Sequence, residues 1–378
     1  MAVHFHPLRI KRISPEAAGT SAITFDIPPA LRAEFDFRPG QFLTLRTMLE
    51  GKEARRSYSI CSPHQRYSND GEIDVGIKPV EGGSFSCWAT QSLRPGDTIE
   101  VMPPDGRFTP RVAGARHRVG FAAGSGITPM LSIIATTLAQ DSASSFTLVY
   151  GNQRLNTIMF NEALQDLKDS YPARLALIHL LSRQPQETAL LNGRIDQAKV
   201  GELLRTLLPV AGIDEAFLCG PEGMIDAAQS ALLAAGLAPD RVHAERFYSD
   251  GALAAPSGTS GAGAAPSQSH ASSASASASA STSTSASTQL EIILDGKTHS
   301  LVMGPQDRVL DVALAAGLDL PYSCKGGVCC TCRARVLEGR AEMEKNYTLE
   351  PWEIDKGFVL TCQSRPLTDK LVVSYDER

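Results

Sequence analysis

The chain has 378 residues, 43% of them apolar, and its 36 basic and 41 acidic side chains leave a formal net charge of −5. That length divides into two or three domains, and the near-balanced charge leaves no basic footprint for nucleic acid. Residues 1–12 lack the apolar core of a signal peptide, and the most apolar run, 119–134, is interrupted by Gly124, Ser125, Gly126, Thr128 and Pro129 and falls short of a bilayer span, so a cytoplasmic protein with no nucleic-acid or membrane partner is expected.

Residues 1–109 read as short strands. The segments 23–27, 42–45, 57–60, 73–77 and 98–101 alternate or are rich in β-formers. Arg38-Pro39-Gly40, Asn69-Asp70-Gly71 and Pro95-Gly96-Asp97 mark turns between them. Strands at this spacing predict an all-β barrel. Within it Arg56 and Tyr58 share one strand face at period two, with Ser59 beside them. A flat, electron-poor ring with a pyrophosphate tail would use all three: the tyrosine to stack, the guanidinium to neutralise phosphate, the hydroxyl to hydrogen-bond the ring. An ordinary surface strand whose tyrosine caps the core leaves the same trace.

From residue 110 to 249 the texture changes to alternating strands and helices. Strand-like runs at 118–122, 146–150, 175–181 and 215–218 interleave with helix-like runs at 130–138, 159–167, 197–207 and 224–235. Such repetition predicts a doubly wound parallel sheet. Gly124-Ser125-Gly126 ends a strand and opens a helix, where free N–H groups and the helix dipole suit a phosphate. A bare packing turn has the same sequence. Cys219-Gly220-Pro221 and Ser182-Arg183 end other strands of the sheet, at the carboxyl edge where open α/β sheets bind ligands.

Residues 250–288 are almost wholly Gly, Ala, Ser, Thr and Pro, with no large apolar side chain between Leu253 and Leu290. Such a segment cannot bury enough surface to offset its ordering entropy. It is expected to be a flexible tether with a root-mean-square span of about 35 Å. Beyond it, residues 289–378 carry strand-like runs at 290–294, 298–302, 335–337 and 371–374 and a helical run at 309–316. They suggest a small β-grasp domain.

That domain contains Cys324, Cys329 and Cys332 in C-x4-C-x2-C spacing, with Cys362 far downstream. This is the plant-type spacing for a 2Fe-2S cluster, three thiolates from a wrapping loop and a fourth from a packed element. Gly326 and Gly327 let the backbone approach the inorganic sulfides. A structural zinc would want paired C-x2-C hooks, and only one is present. Cys330 as a ligand would give intervals of five and one, so it is read as a bystander. Cys61, Cys87, Cys219 and Cys330 have no disulfide-framework spacing, which suits reduced thiols.

R-x-Y-S at 56–59, Gly82-Gly83-Ser84-Phe85-Ser86, G-S-G-I-T-P at 124–129 and C-G-P-x-x-M at 219–224 occur in that order. Together they resemble the ferredoxin–NADP reductase superfamily across residues 1–247. With the plant-type ferredoxin domain behind them, the whole chain resembles the reductase components of multicomponent oxygenases. The resemblance implies FAD on Arg56, Tyr58, Ser59 and the Gly83–Ser86 turn, where Gly83, Ser84 and Ser86 would supply N–H and hydroxyl groups to the pyrophosphate. It implies a nicotinamide nucleotide on Gly124, Ser125, Gly126, Thr128, Gly220 and Pro221, with Ser59, Cys219 and Glu245 near the hydride-transfer position. Glu245 and Phe247 would close the flavin site, and Cys324, Cys329, Cys332 and Cys362 would hold the cluster. A 2′-phosphate would meet Ser182, Arg183 and Arg154, which favours NADPH over NADH. The implied activity carries a hydride to flavin and single electrons through the cluster to an oxygenase, the cofactors doing the chemistry. An aromatic-ring hydroxylating oxygenase is the alternative acceptor. An iron–sulfur redox sensor is a further alternative, and it would not need R-x-Y-S and C-G-P together.

Overall fold

A computed structural model describes residues 4–247 and 287–377 of the chain. The predicted tether at 250–288 lies outside the described residues, save its last two. Thr288 already belongs to a strand, where its hydroxyl donates to the Thr368 carbonyl at 2.9 Å.

The first sheet comprises β1 (His6–Pro15), β2 (Ser21–Asp26), β3 (Phe42–Leu49), β4 (Lys52–Ser59), β5 (Glu72–Ile77) and β6 (Thr98–Asp105), antiparallel in the order β4-β3-β6-β1-β2-β5. A bridge from Ile60 to Val75 joins its two outer strands and closes it into a barrel. Leu8, Ile10, Ile23, Phe25, Leu43, Leu45, Ile73 and Val75 fill the interior. The strand β1 is not announced by the sequence because only Leu8 and Ile10 mark its inward face among basic neighbours and flanking prolines. Two helices also join this domain, α1 (His64–Asp70) and α2 (Ser84–Ser92). Residues 83–86, expected as a turn, are instead the start of α2, with Gly83 as its N-cap.

The second sheet is wholly parallel. Its chain order is β7 (His117–Ala123), α3 (Ile127–Gln140), β8 (Ser145–Asn152), α4 (Asn161–Ser170), β9 (Leu175–Leu181), α5 (Gln197–Thr206), β10 (Glu215–Gly220), α6 (Glu222–Ala234) and β11 (Val242–Arg246). The spatial order is β11-β10-β7-β8-β9, so the winding reverses between β7 and β10. Helices α3 and α4 pack in one core cluster and α5 and α6 in another, covering both faces. Helix α3 is buried from Ile127 to Leu138 because it lies between this sheet and the barrel. Ala22, Cys61 and Phe108 of the barrel share its core, and Ser132 donates to the Ser62 carbonyl at 2.8 Å. The helical pattern at 159–167 starts late, at Asn161, because Phe160 takes a left-handed turn at φ +56°.

The third unit has β12 (Thr288–Leu294), β13 (Lys297–Met303), α7 (Val309–Ala315), β14 (Arg333–Glu338), β15 (Ala341–Met343), α8 (Pro351–Asp355), β16 (Phe358–Leu360), β17 (Ser364–Pro366) and β18 (Lys370–Ser374). Its main sheet runs β13-β12-β18-β14-β16, with β12 and β18 parallel, and α7 packs its apolar side on it. This is the β-grasp arrangement. No helix among the described residues is long and apolar enough to cross a membrane.

Candidate active site and cluster centre

Strand β4 presents the first group of side chains. Tyr58 and Arg56 alternate with Arg55, Ser57 and Ser59, so the strand offers two chemically different faces. The Tyr58 ring centre lies 5.9 Å from that of Phe85 at the start of α2, and burial pushes its hydroxyl pKa well up. A Cβ at Gly83 would sit 2.8 Å from Ser86 Oγ and 3.0 Å from the Val80 carbonyl oxygen, so a side chain there would press on both. That hydroxyl accepts from the Val80 N–H at 3.1 Å, so Ser86 folds the turn back while the first N–H groups of α2 stay free of helical partners. Ser84 is exposed.

Three strands meet at the next group. Ser59 at the end of β4 donates to Glu245 Oε2 on β11 at 3.0 Å, and Glu245 stands opposite Cys219 in the β10–β11 register. Burial pushes the Glu245 carboxyl up to about 8, against the Ser59 hydrogen bond that pulls it down. The Cys219 thiol is fully buried and pushed up by the same cause. The carboxyl is thus mostly protonated at neutral pH, able both to accept from Ser59 and to donate.

The reversal of the sheet sets Gly124-Ser125-Gly126, after β7, beside Gly220-Pro221, at the end of β10. Contact is closest at Gly126, where a Cβ would lie 2.0 Å from the Cys219 carbonyl oxygen. Gly124 adopts φ +54°, and its carbonyl accepts from the buried Tyr150 hydroxyl at 2.8 Å. Thr128 Oγ1 donates to the Ser125 carbonyl at 3.0 Å. These bonds fix the turn so that the N-terminus of α3 faces the crevice. Lys78, just past β5, brings its Nζ within 3.7 Å of the Cβ position at Gly124. Further along the same carboxyl edge, Arg154, Ser182 and Arg183 are exposed beyond β8 and β9. Ser182 is tied by its N–H to the Asn152 carbonyl at 2.9 Å.

In the β-grasp unit the loop before β14 carries left-handed residues at Lys325 (φ +50°), Gly327 (φ +77°) and Cys330 (φ +64°). Cys324 comes within hydrogen-bonding reach of Cys329 and Cys362, and Cys362 within reach of Cys332. None of the four is in a disulfide. The Gly326 N–H donates to Cys324 Sγ at 3.3 Å, and Gln363 Nε2 to Cys362 Sγ at 3.7 Å. Among the described residues no three such side chains focus on a point suited to one ion. A two-iron cluster needs no such focus, because it takes two thiolates at each iron. The soft donor set, the spare N–H donors and the sterically closed Gly327, whose Cβ would meet the Lys345 carbonyl oxygen at 2.9 Å, fit that group.

Residues 8–109 match the oxidoreductase FAD-binding domain family, 121–230 the oxidoreductase NAD-binding domain family and 292–367 the 2Fe-2S iron-sulfur cluster binding domain family. A component of the 1,2-phenylacetyl-CoA epoxidase of Escherichia coli is 41% identical over 99% of this chain and 98% of its own. This chain belongs to the FAD- and 2Fe-2S-containing reductase family. The reductase is also 36% identical, over 97% of its length and 96% of the relative's, to the ferredoxin reductase component of a 3-ketosteroid-9-alpha-monooxygenase of Rhodococcus rhodochrous. Phthalate dioxygenase reductase shares its fold, with a TM-score of 0.58 at 20% identity and 98% of both chains covered. The three family matches together mean that this chain binds FAD, a pyridine nucleotide and a 2Fe-2S cluster.

Within the reductase, the structure brings Ser59, Cys219 and Glu245 together and places Gly124 to Thr128 against Gly220. Phe247, by contrast, is 43% exposed at the end of the first described segment. Sequence reasoning missed Lys78, whose only signal was its place five residues before Gly83. It also missed the other face of β4, where Arg55 and Ser57 meet the β-grasp domain: Ser57 Oγ and Ser323 Oγ lie 2.6 Å apart. A second contact joins Arg107 of the barrel to Glu353 of α8, with Nη2 donating to Oε1 at 2.8 Å, and Glu353 also binds Arg333. Cys330 lies beside these charges rather than in the group of four thiols.

Proposed function

We propose that this chain is the NADPH-dependent reductase of a multicomponent oxygenase, with the phenylacetyl-CoA 1,2-epoxidase of phenylacetate catabolism as its acceptor. The observation that carries the electron route is the meeting of Ser59, Glu245 and Cys219 at the end of β4 and the Ser57–Ser323 contact, next to a cluster cysteine, two residues earlier on the same strand. The choice of acceptor rests on the full-length likeness to the Escherichia coli chain. The 3-ketosteroid relative supports another oxygenase as the alternative acceptor. A cytoplasmic site suits a chain whose eight cysteines are all free.

Arg56 and Tyr58 would hold FAD by charge and ring, with the N–H groups of Gly83, Ser84 and Ser86 at the start of α2 taking its pyrophosphate. Gly124, Ser125 and Gly126 would take the nucleotide's phosphates at the N-terminus of α3, with Lys78 adding a cation. Thr128 would act by fixing the turn, and Gly220 and Pro221 would line the opposite wall. Ser182, Arg183 and Arg154 are exposed donors suited to a 2′-phosphate, which favours NADPH. Ser59, Glu245 and Cys219 would orient the flavin and nicotinamide, Glu245 holding its proton, and Phe247 would cover the site. Cys324, Cys329, Cys332 and Cys362 would hold the cluster. When bound, FAD takes a hydride from NADPH and hands its two electrons one at a time to the cluster.

Reconstitution with the oxygenase components of a phenylacetyl-CoA epoxidase, measuring epoxide per NADPH consumed, tests the acceptor. NADPH turnover on ferricyanide without any epoxide would remove that assignment. The nucleotide preference has its own test: Arg183→Ala should raise KM for NADPH and leave KM for NADH unchanged.

A further inference from the structure

The contact between the barrel and the β-grasp domain is built around a guanidinium that is hidden from water. Arg55 is 4% exposed. Its Nη2 donates to Asp319 Oδ1 at 2.8 Å and its Nη1 to the Leu320 carbonyl at 3.2 Å, both in the β-grasp domain. Its Nε donates to Glu53 Oε1 at 2.8 Å on its own strand, and that same oxygen accepts from the Tyr322 hydroxyl at 3.0 Å. The rings of Phe5 and Tyr322 lie 5.0 and 4.3 Å from the guanidinium carbon. A buried cation is costly unless its donors are met. Two of the three acceptors named here arrive only when the β-grasp domain is seated.

The position of this residue in the chain gives the contact its meaning. Arg55 precedes Arg56, and Ser57 precedes Tyr58, the two side chains assigned to FAD. On the other side, Asp319, Leu320, Tyr322 and Ser323 run directly into Cys324. The Ser57–Ser323 hydrogen bond, supported by Thr44 Oγ1 at 3.1 Å from Ser57, therefore joins the neighbour of a flavin residue to the neighbour of a cluster cysteine. The Arg107–Glu353–Arg333 contact lies at a second point of the interface, and the Arg246 guanidinium over the Tyr347 ring, 5.3 Å from its centre, at a third.

We infer that Arg55 is a positioning residue that seats the cluster domain for electron transfer, by donating across the interface to Asp319 and the Leu320 carbonyl. This rests on the FAD and 2Fe-2S reading and adds to it the contact that sets the approach of one site to the other. In each transfer one electron leaves reduced FAD and one arrives on the oxidised cluster, so Arg55 changes no bond and acts on geometry alone.

The test uses the loaded full chain with Arg55→Ala, Arg55→Lys and Asp319→Asn. Arg55→Ala and Asp319→Asn should leave NADPH-to-ferricyanide turnover and the cluster's electron paramagnetic resonance spectrum unchanged. They should slow flavin-to-cluster transfer, followed by stopped-flow absorbance, by about tenfold or more, the scale on which misplaced reacting groups lose rate. Arg55→Lys should recover part of that loss. A readout independent of turnover is disulfide trapping: the Ser57→Cys/Ser323→Cys pair should cross-link readily on oxidation, and more slowly with Arg55→Ala added or at about 0.5 M salt. Once formed in the Arg55→Ala background, the cross-link should restore the transfer rate. Transfer and cross-linking rates within about twofold of the parent in Arg55→Ala, which removes every donor to Asp319 and the Leu320 carbonyl, would overturn the proposal. A parent lacking flavin or cluster absorption would instead overturn the cofactor reading on which it rests.

Discussion

Glu245 gives the sharpest test of the site, because its carboxyl is held at about 8 rather than 4.5 by burial. Between those values the folded protein keeps a proton that the unfolded chain releases. Stability from this group is therefore complete below about pH 4.5 and declines as pH rises towards and through about 8. At 1.36 kcal/mol per pKa unit, the ceiling on the loss between about pH 5 and pH 9 is about 4 kcal/mol. Glu245 is half-buried rather than sealed from water, which reduces the figure, and about 2 kcal/mol is expected. Glu245→Gln keeps the shape and removes the titration. Urea unfolding in a Trp352→Phe background, so that fluorescence reports Trp88, which packs on Phe85 in the barrel with ring centres 5.5 Å apart, would measure both proteins across this range. The variant should match the parent near pH 5 and exceed it near pH 9. Parallel curves at every pH would refute the buried-proton account.

Cys329→Ser should abolish the cluster spectrum while leaving NADPH reduction of the flavin intact, whereas Cys330→Ser should keep the spectrum; loss of the cluster in the second would show that the ligand set is wrong. Gly126→Ala forces a methyl group into the Cys219 carbonyl, so a destabilisation of about 1–3 kcal/mol and a raised KM for NADPH are expected; an unchanged melting temperature and KM would contradict the close approach. Glu215 is fully buried, accepting from Arg118 Nε at 2.9 Å and the Arg111 N–H at 2.7 Å, with His243 Nε2 at 2.8 Å. Glu215→Gln leaves Arg118 without its counter-charge and should cost about 3–5 kcal/mol in urea unfolding.

The cluster loop, the G-S-G turn and the alternation of strands with helices were legible because each depends on spacing within a short stretch. What was not legible depends on partners far along the chain. Arg55 reads as one more basic residue in Arg55-Arg56-Ser57-Tyr58, and nothing local says that it meets Asp319, 264 positions away. Ser323 meets Ser57 across 266 positions. Residues 83–86 look like a turn because serines favour caps and compete for backbone hydrogen bonds. Tertiary packing of Phe85 and Ala89 into the barrel makes them helical. Of the N–H and hydroxyl expected of Ser86, the hydroxyl is engaged with Val80, so its contribution to a pyrophosphate would come from its N–H.

The core around α3 contains Ala22, Cys61 and Phe108 together with Ile127, Met130 and Phe217, whereas the β-grasp domain keeps a core of its own. Units of sequence and units of melting are therefore different here. Barrel and nucleotide domain share one cooperative transition, since neither can open without exposing the other's side of that core. The iron–sulfur module, with its own core, is expected to answer to a different perturbation: loss of its iron would leave a chain still able to oxidise its pyridine nucleotide but with no outlet for single electrons except a soluble acceptor.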